Sequence, residues 1–176
     1  MYVPEIILFS GKAGVGKTTS AKYSHEKYKT PVLSFASGVK EVASSMGWDG
    51  LKDTKGRELL QAIGKAGREY NPDIWVANAQ RKIEQTISES DIVCIDDWRF
   101  PNEAVYLYNM GYKLHLVRII APQLELLTGT PQANDISETS LKDFEYFYKD
   151  IIYNLGSLEN LYSHLDVFYE EIRLQN

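Results

Sequence analysis

Short apolar runs alternate along the chain with longer segments in which apolar residues recur every three or four positions. Continuous apolar runs are typical of buried parallel strands, and the longer period is typical of amphipathic helices. The runs predict strands at residues 5–10, 32–35, 91–96, 113–120 and 150–154. The periodic segments predict helices at residues 18–28, 37–48, 57–70, 74–88, 99–110, 141–148 and 158–173. Strands that alternate with helices predict an α/β fold with a parallel sheet, which binds ligands at the carboxyl ends of its strands.

The segment directly after the first strand reads GKAGVGKT, at residues 11–18. This is the G-x-x-x-x-G-K-T pattern of a phosphate-binding loop, in which glycines let the backbone N–H groups surround phosphates. Lys17 is expected to reach the β- and γ-phosphates, and the Thr18 hydroxyl is expected to coordinate Mg²⁺. We assign nucleotide binding to Gly11, Ala13, Gly14, Val15, Gly16, Lys17, Thr18 and Thr19. A ligand-free glycine turn is the alternative, but strand, loop and helix all follow the context that the motif requires.

Composition places few further limits on function. The 176 residues fit a single domain over 1–176, and 44% hydrophobic with 24% charged residues is ordinary for a globular protein. The net charge of −5 argues against a nucleic-acid polymer as partner, and no apolar run is long enough for a membrane span. The single Cys94 lies in an apolar run and predicts a reduced, cytoplasmic protein. The oligomeric state stays open, a homodimer included.

Two segments are placed to cover a nucleotide bound at the phosphate loop. Residues 36–88 form a helical insertion between the second and third strands, which we call the acceptor insertion, and residues 121–140 form a polar segment that suits a lid. Two covers over one phosphate loop favour a kinase of small molecules, since phosphoryl transfer requires that water be excluded. The guanine-reading N-K-x-D pattern of small GTPases is absent from the sequence.

Five stretches that span nearly the whole chain are more specific than the loop. They read GKAGVGKTT; SFASGVKEVA; WDGLKDTKGRELLQAIGKAGRE with DIWVANA; IDDWRFPNEA; and DISETSL followed by IIYNLGSLENLY. In this order they resemble the phage-type deoxynucleoside monophosphate kinases, a branch of the P-loop nucleoside monophosphate kinases. The resemblance implies a five-stranded parallel sheet of order 2-3-1-4-5, ATP with Mg²⁺ as donor, and a deoxynucleoside monophosphate as acceptor. It also implies a phage- or bacterium-encoded enzyme.

The end of the third strand supplies the next candidate residues. Asp97 matches the acidic position of the family's D-x-R-F-P-N-E stretch and is expected to hold Mg²⁺ through water or to contact the acceptor sugar. Asp96 competes for this role, and we favour Asp97. Arg99 is a catalytic candidate because its planar guanidinium suits bidentate phosphate contact, the alternative being an ion pair with Glu103.

Further candidates lie on the acceptor insertion. Arg57 and Arg68 are three helical turns apart, so they share a face and could line one cleft, and Arg68 is also a catalytic candidate. Gln61 could read a base edge, and Trp75 could stack on a base, although helical spacing also fits a core position. Acceptor binding is assigned to Phe35, Lys40, Arg57, Gln61, Arg68, Trp75 and Asp97.

The predicted lid departs from many nucleoside monophosphate kinases because it contains no arginine or lysine. Arg118, just before it, or Arg99 must therefore serve the donor phosphates. Two alternatives to the leading hypothesis stay open at this point. One is another small-molecule kinase, for dephospho-coenzyme A or phosphomevalonate. The other is a nucleotide-binding module without kinase activity.

Overall fold

The computed structural model describes residues 3–87, 90–125, 140–141 and 147–175. Their helices and strands follow the predicted alternation. In chain order they are β1 (Glu5–Ser10), α1 (Lys17–Tyr28), β2 (Val32–Leu33), α2 (Ser37–Ser45), α3 (Thr54–Tyr70), α4 (Ile74–Ile87), β3 (Ile92–Ile95), α5 (Pro101–Asn109), β4 (Lys113–Ile120), α6 (Pro122–Glu125), β5 (Asp150–Tyr153) and α7 (Leu158–Leu174).

The strands form a five-stranded sheet in the order β2-β3-β1-β4-β5, and each pairing is parallel. The predicted fold class and strand order are therefore confirmed. Leu8 of β1 pairs with Ile95 of β3, so the two strands end side by side. The phosphate loop and the segment that follows β3 consequently meet at one edge of the sheet, where an α/β fold binds its ligands.

The sheet lies between two apolar layers. Alternate residues of a strand face opposite sides, and the fully buried β1 divides in this way. Ile7 and Phe9 pack in a cluster with residues of α1 and α7, whereas Ile6 and Leu8 pack in a second cluster with residues of α4 and α5. β1 is thus the centre of the core, which holds the phosphate loop on a rigid support.

β2 is shorter than predicted, because it ends at Leu33 instead of residue 35. The backbone N–H groups of Phe35 and Ala36 do not continue the sheet ladder but donate to the carboxylate of Asp97. The chain therefore leaves the sheet early, at the point where it enters the acceptor insertion.

The helices of the acceptor insertion also differ at their ends. α2 ends at Ser45 rather than residue 48, and α3 begins at Thr54, three residues earlier than predicted. The earlier start has a local cause, since the Asp53 carboxylate accepts a hydrogen bond of 2.8 Å from the N–H of Gly56 and caps the helix. The predicted helix at 141–148 lies largely outside the described residues.

Candidate active site

The phosphate loop turns sharply at three glycines. Gly11, Gly14 and Gly16 have φ angles of 138°, 82° and 109°, a region that residues with side chains rarely adopt. A Cβ atom on Gly11 would overlap with the carbonyl oxygen of Ile119 in β4. The sequence pattern therefore reflects a steric requirement, and the loop leads directly into the N-terminus of α1. That helix end has no side-chain cap, so its N–H groups can bind an anion.

Lys17 lies within this loop. Its side chain is buried, and its Nζ donates to the carbonyl oxygens of Gly11 and Lys12 at 2.6 and 2.8 Å. The ammonium is thus held at the loop's own backbone, where it can exchange these partners for phosphate oxygens. Of the other predicted nucleotide contacts, Ala13 is exposed in the loop and Thr19 is half-buried in the first turn of α1.

The Thr18 hydroxyl donates to Oδ2 of Asp96 at 2.9 Å. A hydroxyl and a carboxylate at the mouth of a phosphate loop are hard oxygen ligands, and this donor set fits Mg²⁺. Partial burial and the adjacent charge of Asp97 raise the pKa of Asp96, while Thr18, Lys40 and Lys17 lower it. A divalent cation at this carboxylate would offset the cost of keeping it charged.

Asp97 faces a different part of the molecule. Its carboxylate accepts hydrogen bonds from the Ser34 hydroxyl at 2.6 Å and from the N–H groups of Phe35 and Ala36 at 2.8 and 2.9 Å. The sequence pattern favours Asp97 over Asp96 for the metal position. The structure instead places Asp96 beside Thr18, because the two consecutive carboxylates turn to opposite sides after β3.

The backbone of Arg99 is fixed by the start of α5. The buried Glu103 carboxylate accepts hydrogen bonds of 3.0 Å from the N–H groups of Arg99 and Phe100. Burial raises the pKa of Glu103 to about 8, against the lowering effect of these two N–H groups. Glu103 thus contacts the Arg99 backbone directly. Arg99 is held at the same edge of the sheet as the phosphate loop.

The two arginines of α3 do not meet in one cleft. The guanidinium of Arg68 lies 4.3 Å from the ring centroid of Phe100, in the segment after β3. Arg57, in contrast, is exposed, and its Nε donates to the carbonyl of Lys52 at 2.8 Å in the loop before α3. The two residues are about 16 Å apart along the helix axis. Arg68 alone reaches the site edge, and Gln61 is exposed between them.

Two aromatic residues assigned to the acceptor are core residues instead. Trp75 is 9% exposed, and its indole Nε1 donates to the carbonyl of Gly64 at 3.0 Å. Its ring fills the space beside Gly67, where a Cβ would collide with it. Phe35 is 3% exposed and packs in the cluster that includes Leu8. Because both rings are buried, neither has a free face on which a base could stack. The helical spacing of Trp75 therefore reflects a core position.

Arg118 lies on β4, where it pairs with Ser10, the last residue of β1. Its Nη1 is 3.4 Å from the Tyr148 hydroxyl, and its guanidinium lies 5.3 Å from the centre of that ring. This position beside the phosphate loop agrees with a contact to the donor. Most of the predicted lid, residues 126–139, lies outside the described residues.

Asn154, directly after β5, is a site residue that the sequence pattern did not predict. Its Nδ2 donates to the carbonyl of Val15 in the phosphate loop at 2.9 Å, and its Oδ1 accepts from the N–H of Gly156 at 3.2 Å. The side chain therefore joins the end of the outermost strand to the loop. The sequence feature that could have indicated it is an amide side chain directly after a predicted strand, since ligands of an α/β sheet bind at the strand ends.

Solved structures with the same architecture include kinases of small molecules. The dephospho-CoA kinase from Campylobacter jejuni superposes with a TM-score of 0.56 at 14% identity, over 96% of this chain and 97% of that one. The shikimate kinase from Aquifex aeolicus gives a TM-score of 0.57 at 15% identity, over 97% and 99%. The chain has the P-loop kinase fold. TT1252 from Thermus thermophilus is similar as well, with a TM-score of 0.57 and 20% identity over 96% and 98%.

Sequence comparison finds viral relatives. No protein-family model matches the chain. Two uncharacterized proteins of Ictalurid herpesvirus 1 (strain Auburn), ORF76 and ORF77, are 29% and 30% identical over 141 and 140 residues. These alignments include 79% and 78% of this chain but 57% and 59% of the relatives, so the chain spans little more than half their length. Within the described ranges, no helix has both the length and the apolar character that a membrane crossing requires.

Proposed function

We propose that the chain transfers the γ-phosphoryl group of ATP to a deoxynucleoside 5′-monophosphate and so forms the diphosphate. The observation that carries this proposal is the 2.9 Å contact between Thr18 of the phosphate loop and Asp96, the residue directly after β3. This contact joins the donor-binding loop to the end of β3. The adjacent Asp97 binds the start of the acceptor insertion at the same place. The resemblance of the five sequence stretches supports the acceptor class, and the kinase fold supports the reaction type.

The donor half of the proposed site is built around the phosphate loop. Its N–H groups and the N-terminus of α1 would bind the phosphates, Lys17 would contact the β- and γ-phosphates, and Arg118 would approach from β4. Thr18 and Asp96 would hold Mg²⁺, which neutralises charge on the phosphates when bound. Asp96 replaces Asp97 in this role because it is the carboxylate beside Thr18.

The acceptor half faces this loop across the end of β3. In the transfer, an oxygen of the acceptor phosphate forms a bond to the γ-phosphorus, and the bond between that phosphorus and the bridging oxygen of ADP breaks. Lys17, Arg99 and Lys40 would stabilise the charge on the transferred group, since this chemistry depends on positioning and charge neutralisation. Arg68 would bind the acceptor phosphate from α3, and Gln61 is the remaining candidate for base contact.

A panel of acceptors tests the proposal. We would measure ADP release from ATP and Mg²⁺ in a coupled assay with the four deoxynucleoside monophosphates, the matching ribonucleotides, dephospho-coenzyme A, phosphomevalonate and shikimate. We expect release stimulated by at least one deoxynucleotide. Turnover with dephospho-coenzyme A instead would favour the alternative that the Campylobacter jejuni neighbour supports. ATP binding with no acceptor-stimulated release would favour a nucleotide-binding module and contradict the proposal.

The metal assignment has a separate test. Asp96→Asn should raise the Mg²⁺ concentration for half-maximal activity at least about tenfold, because an amide oxygen is a weaker ligand than a carboxylate. Asp166→Asn is a matched control, since Asp166 accepts hydrogen bonds from Tyr23 and Tyr28 on the α1–α7 side of the sheet. An unchanged Mg²⁺ requirement in Asp96→Asn would contradict the assignment.

A further inference from the structure

Gly64 lies in the middle of α3, where glycine is an unfavourable residue. A glycine inside a helix stabilises it less than alanine does, because glycine loses more backbone freedom on folding. Gly64 is not one of the glycines with a positive φ angle, so its backbone conformation does not require glycine. The absence of a side chain at this buried position must therefore serve its surroundings.

The nearest side-chain atoms to Gly64 belong to the guanidinium of Arg68, one helical turn later. A Cβ atom added to Gly64 would lie 3.3 Å from Nη1, 3.7 Å from Nη2 and 3.9 Å from Cζ of Arg68. The Arg68 side chain thus folds back along α3, as the direction of helical side chains favours. The Gly64 carbonyl also accepts the Trp75 indole N–H, but this is a backbone contact that any residue could keep. The space above Gly64 therefore serves Arg68.

The ring of Phe100 lies against the same guanidinium. Cζ of Arg68 is 4.3 Å from the ring centroid, a distance at which a guanidinium and an aromatic ring attract each other. Stacking engages the flat face of a guanidinium, whereas a phosphate is bound by its N–H edge. The contact with Phe100 therefore positions the Arg68 head group and does not compete with a phosphate for its N–H groups.

Phe100 is tied in turn to the strand that carries the phosphate loop. The backbone N–H of Trp98 donates to the carbonyl of Phe9 in β1 at 3.2 Å, and the Trp98 indole donates to the carbonyl of Phe100 at 2.9 Å. The Glu103 carboxylate accepts the Phe100 N–H at 3.0 Å. Both backbone groups of Phe100 are thus held, and a series of contacts runs from β1 to the guanidinium of Arg68 on α3.

We infer that Gly64 is a positioning residue, which leaves room for the Arg68 guanidinium against the ring of Phe100 and so sets where the acceptor phosphate binds. The inference rests on the proposed function. Gly64 has no side chain with which to contact a substrate, and it acts only through Arg68. A side chain at this position would displace the guanidinium and weaken the use of the acceptor, while ATP would still bind at the phosphate loop.

Two substitutions of increasing size test this role. Gly64→Ala places a Cβ 3.3 Å from Nη1 of Arg68, a contact that a shift of a few tenths of an ångström relieves, and Gly64→Val adds two methyl groups. Both residues are better helix formers than glycine, so neither should lower the urea midpoint of unfolding. We expect kcat/KM for the acceptor to fall about threefold in Gly64→Ala and at least about tenfold in Gly64→Val, because displacement of a positioned group is costly. The Kd of ATP should stay within about twofold of wild type.

Dependence on Arg68 separates positioning from a general disturbance of α3. Gly64→Val combined with Arg68→Ala should be no worse than Arg68→Ala alone, because no guanidinium is then left to displace. Ala66→Val is the matched control, since Ala66 is exposed on the same helix, and it should leave kcat and KM unchanged. An unchanged kcat/KM in Gly64→Val, or a loss in the double variant equal to the product of the single losses, would overturn the inference.

A readout without turnover tests the position of the guanidinium itself. The side-chain N–H resonances of Arg68 in ¹⁵N-labelled protein are identified by their absence from the spectrum of Arg68→Ala. An N–H group that lies over an aromatic ring resonates upfield of one in solvent. We expect an upfield position in wild type and in Ala66→Val, and a shift toward the solvent value in Gly64→Val. Phe100→Leu should give the same shift, and it keeps the test usable if Gly64→Val does not fold.

Titration with inorganic phosphate then distinguishes failure of this inference from failure of the proposed function. With Mg²⁺ and a non-hydrolysable ATP analogue present to fill the phosphate loop, phosphate should shift the Arg68 resonances of wild type. Gly64→Val should need at least about threefold more phosphate for the same shift. Wild-type resonances at the solvent position, or resonances that phosphate leaves unmoved, would overturn the inference whether or not the chain is an active kinase. A response to phosphate without turnover of any deoxynucleotide would refute the proposed acceptor and support the positioning of Arg68.

Discussion

Asn154→Ala removes the side chain that joins the end of β5 to the phosphate loop. The amide donates to the Val15 carbonyl at 2.9 Å and accepts from the Gly156 N–H at 3.2 Å. Each neutral hydrogen bond contributes about 1 kcal/mol, so the variant loses roughly 2 kcal/mol from the segment that shapes the loop. If this falls entirely on the nucleotide-binding conformation, the Kd of ATP rises about 30-fold.

Asn102→Ala is the matched control for this prediction. Asn102 also makes two amide hydrogen bonds, to the Pro72 carbonyl at 3.0 Å and to Asp73 at 2.9 Å, but they join α5 to the connection between α3 and α4. Calorimetric titration with Mg²⁺ and a non-hydrolysable ATP analogue should show weaker binding in Asn154→Ala by 5- to 30-fold, as a rough range. Asn102→Ala should bind ATP within about twofold of wild type. Equal effects of the two substitutions, or none from Asn154→Ala, would contradict the role of Asn154 in shaping the phosphate loop.

Three further substitutions test the phosphate-loop lysine, a buried glutamate and a core tryptophan. Lys17→Ala should lower single-turnover phosphoryl transfer at least ~10²-fold with an unchanged circular dichroism spectrum, because it removes the cation of the phosphate loop; near-wild-type transfer would refute its role. Glu103→Gln should flatten the pH dependence of unfolding in urea. The folded state raises the pKa of Glu103 from 4.5 to about 8, so wild type should lose stability relative to the variant as pH rises through that range, by up to about 1.4 kcal/mol per pH unit. Trp75→Phe should cost about 1–2 kcal/mol by leaving the Gly64 carbonyl without its indole partner, and a change of more than twofold in acceptor KM would restore the stacking role.

The sheet and the phosphate loop were accessible from the sequence because both depend on local pattern. The apolar run that ends at Gly11 predicts a buried strand, and the steric limit at Gly11 leaves little freedom in the residues that follow. Lys113–Ile120 was predicted to the residue for the same reason. The residues within each of these elements are sufficient to predict it, without information from distant parts of the chain.

The different contacts of Asp96 and Asp97 could not be predicted from local sequence pattern. Both carboxylates follow the same strand, and their partners lie at Thr18 and at Ser34–Ala36, more than sixty positions away. The pairing of β3 with β1 on one side and with β2 on the other decides which carboxylate meets which partner. The shortened β2 has the same origin, since Asp97 replaces the sheet as hydrogen-bond partner.

Trp75 shows a third kind of difference. Its periodicity fits both a core position and a cleft position, and the space made by the absent side chain of Gly67 decides between them. Arg57 and Arg68 share a helix face as predicted, but their contacts lie at the two ends of α3, with Lys52 and Phe100. Helical spacing therefore predicted which face of α3 carries each side chain, but it could not predict what the side chains at each end of the helix contact.

The proposed kinase activity can be measured by following the phosphoryl group itself. The chain would be incubated with ATP labelled at the γ-phosphate, Mg²⁺ and the four deoxynucleoside monophosphates, and the products separated by thin-layer chromatography. We expect labelled deoxynucleoside diphosphate with at least one of the four, and none with Lys17→Ala. Label that appears only in inorganic phosphate, or that stays in ATP with every deoxynucleotide, would contradict the proposed phosphoryl transfer.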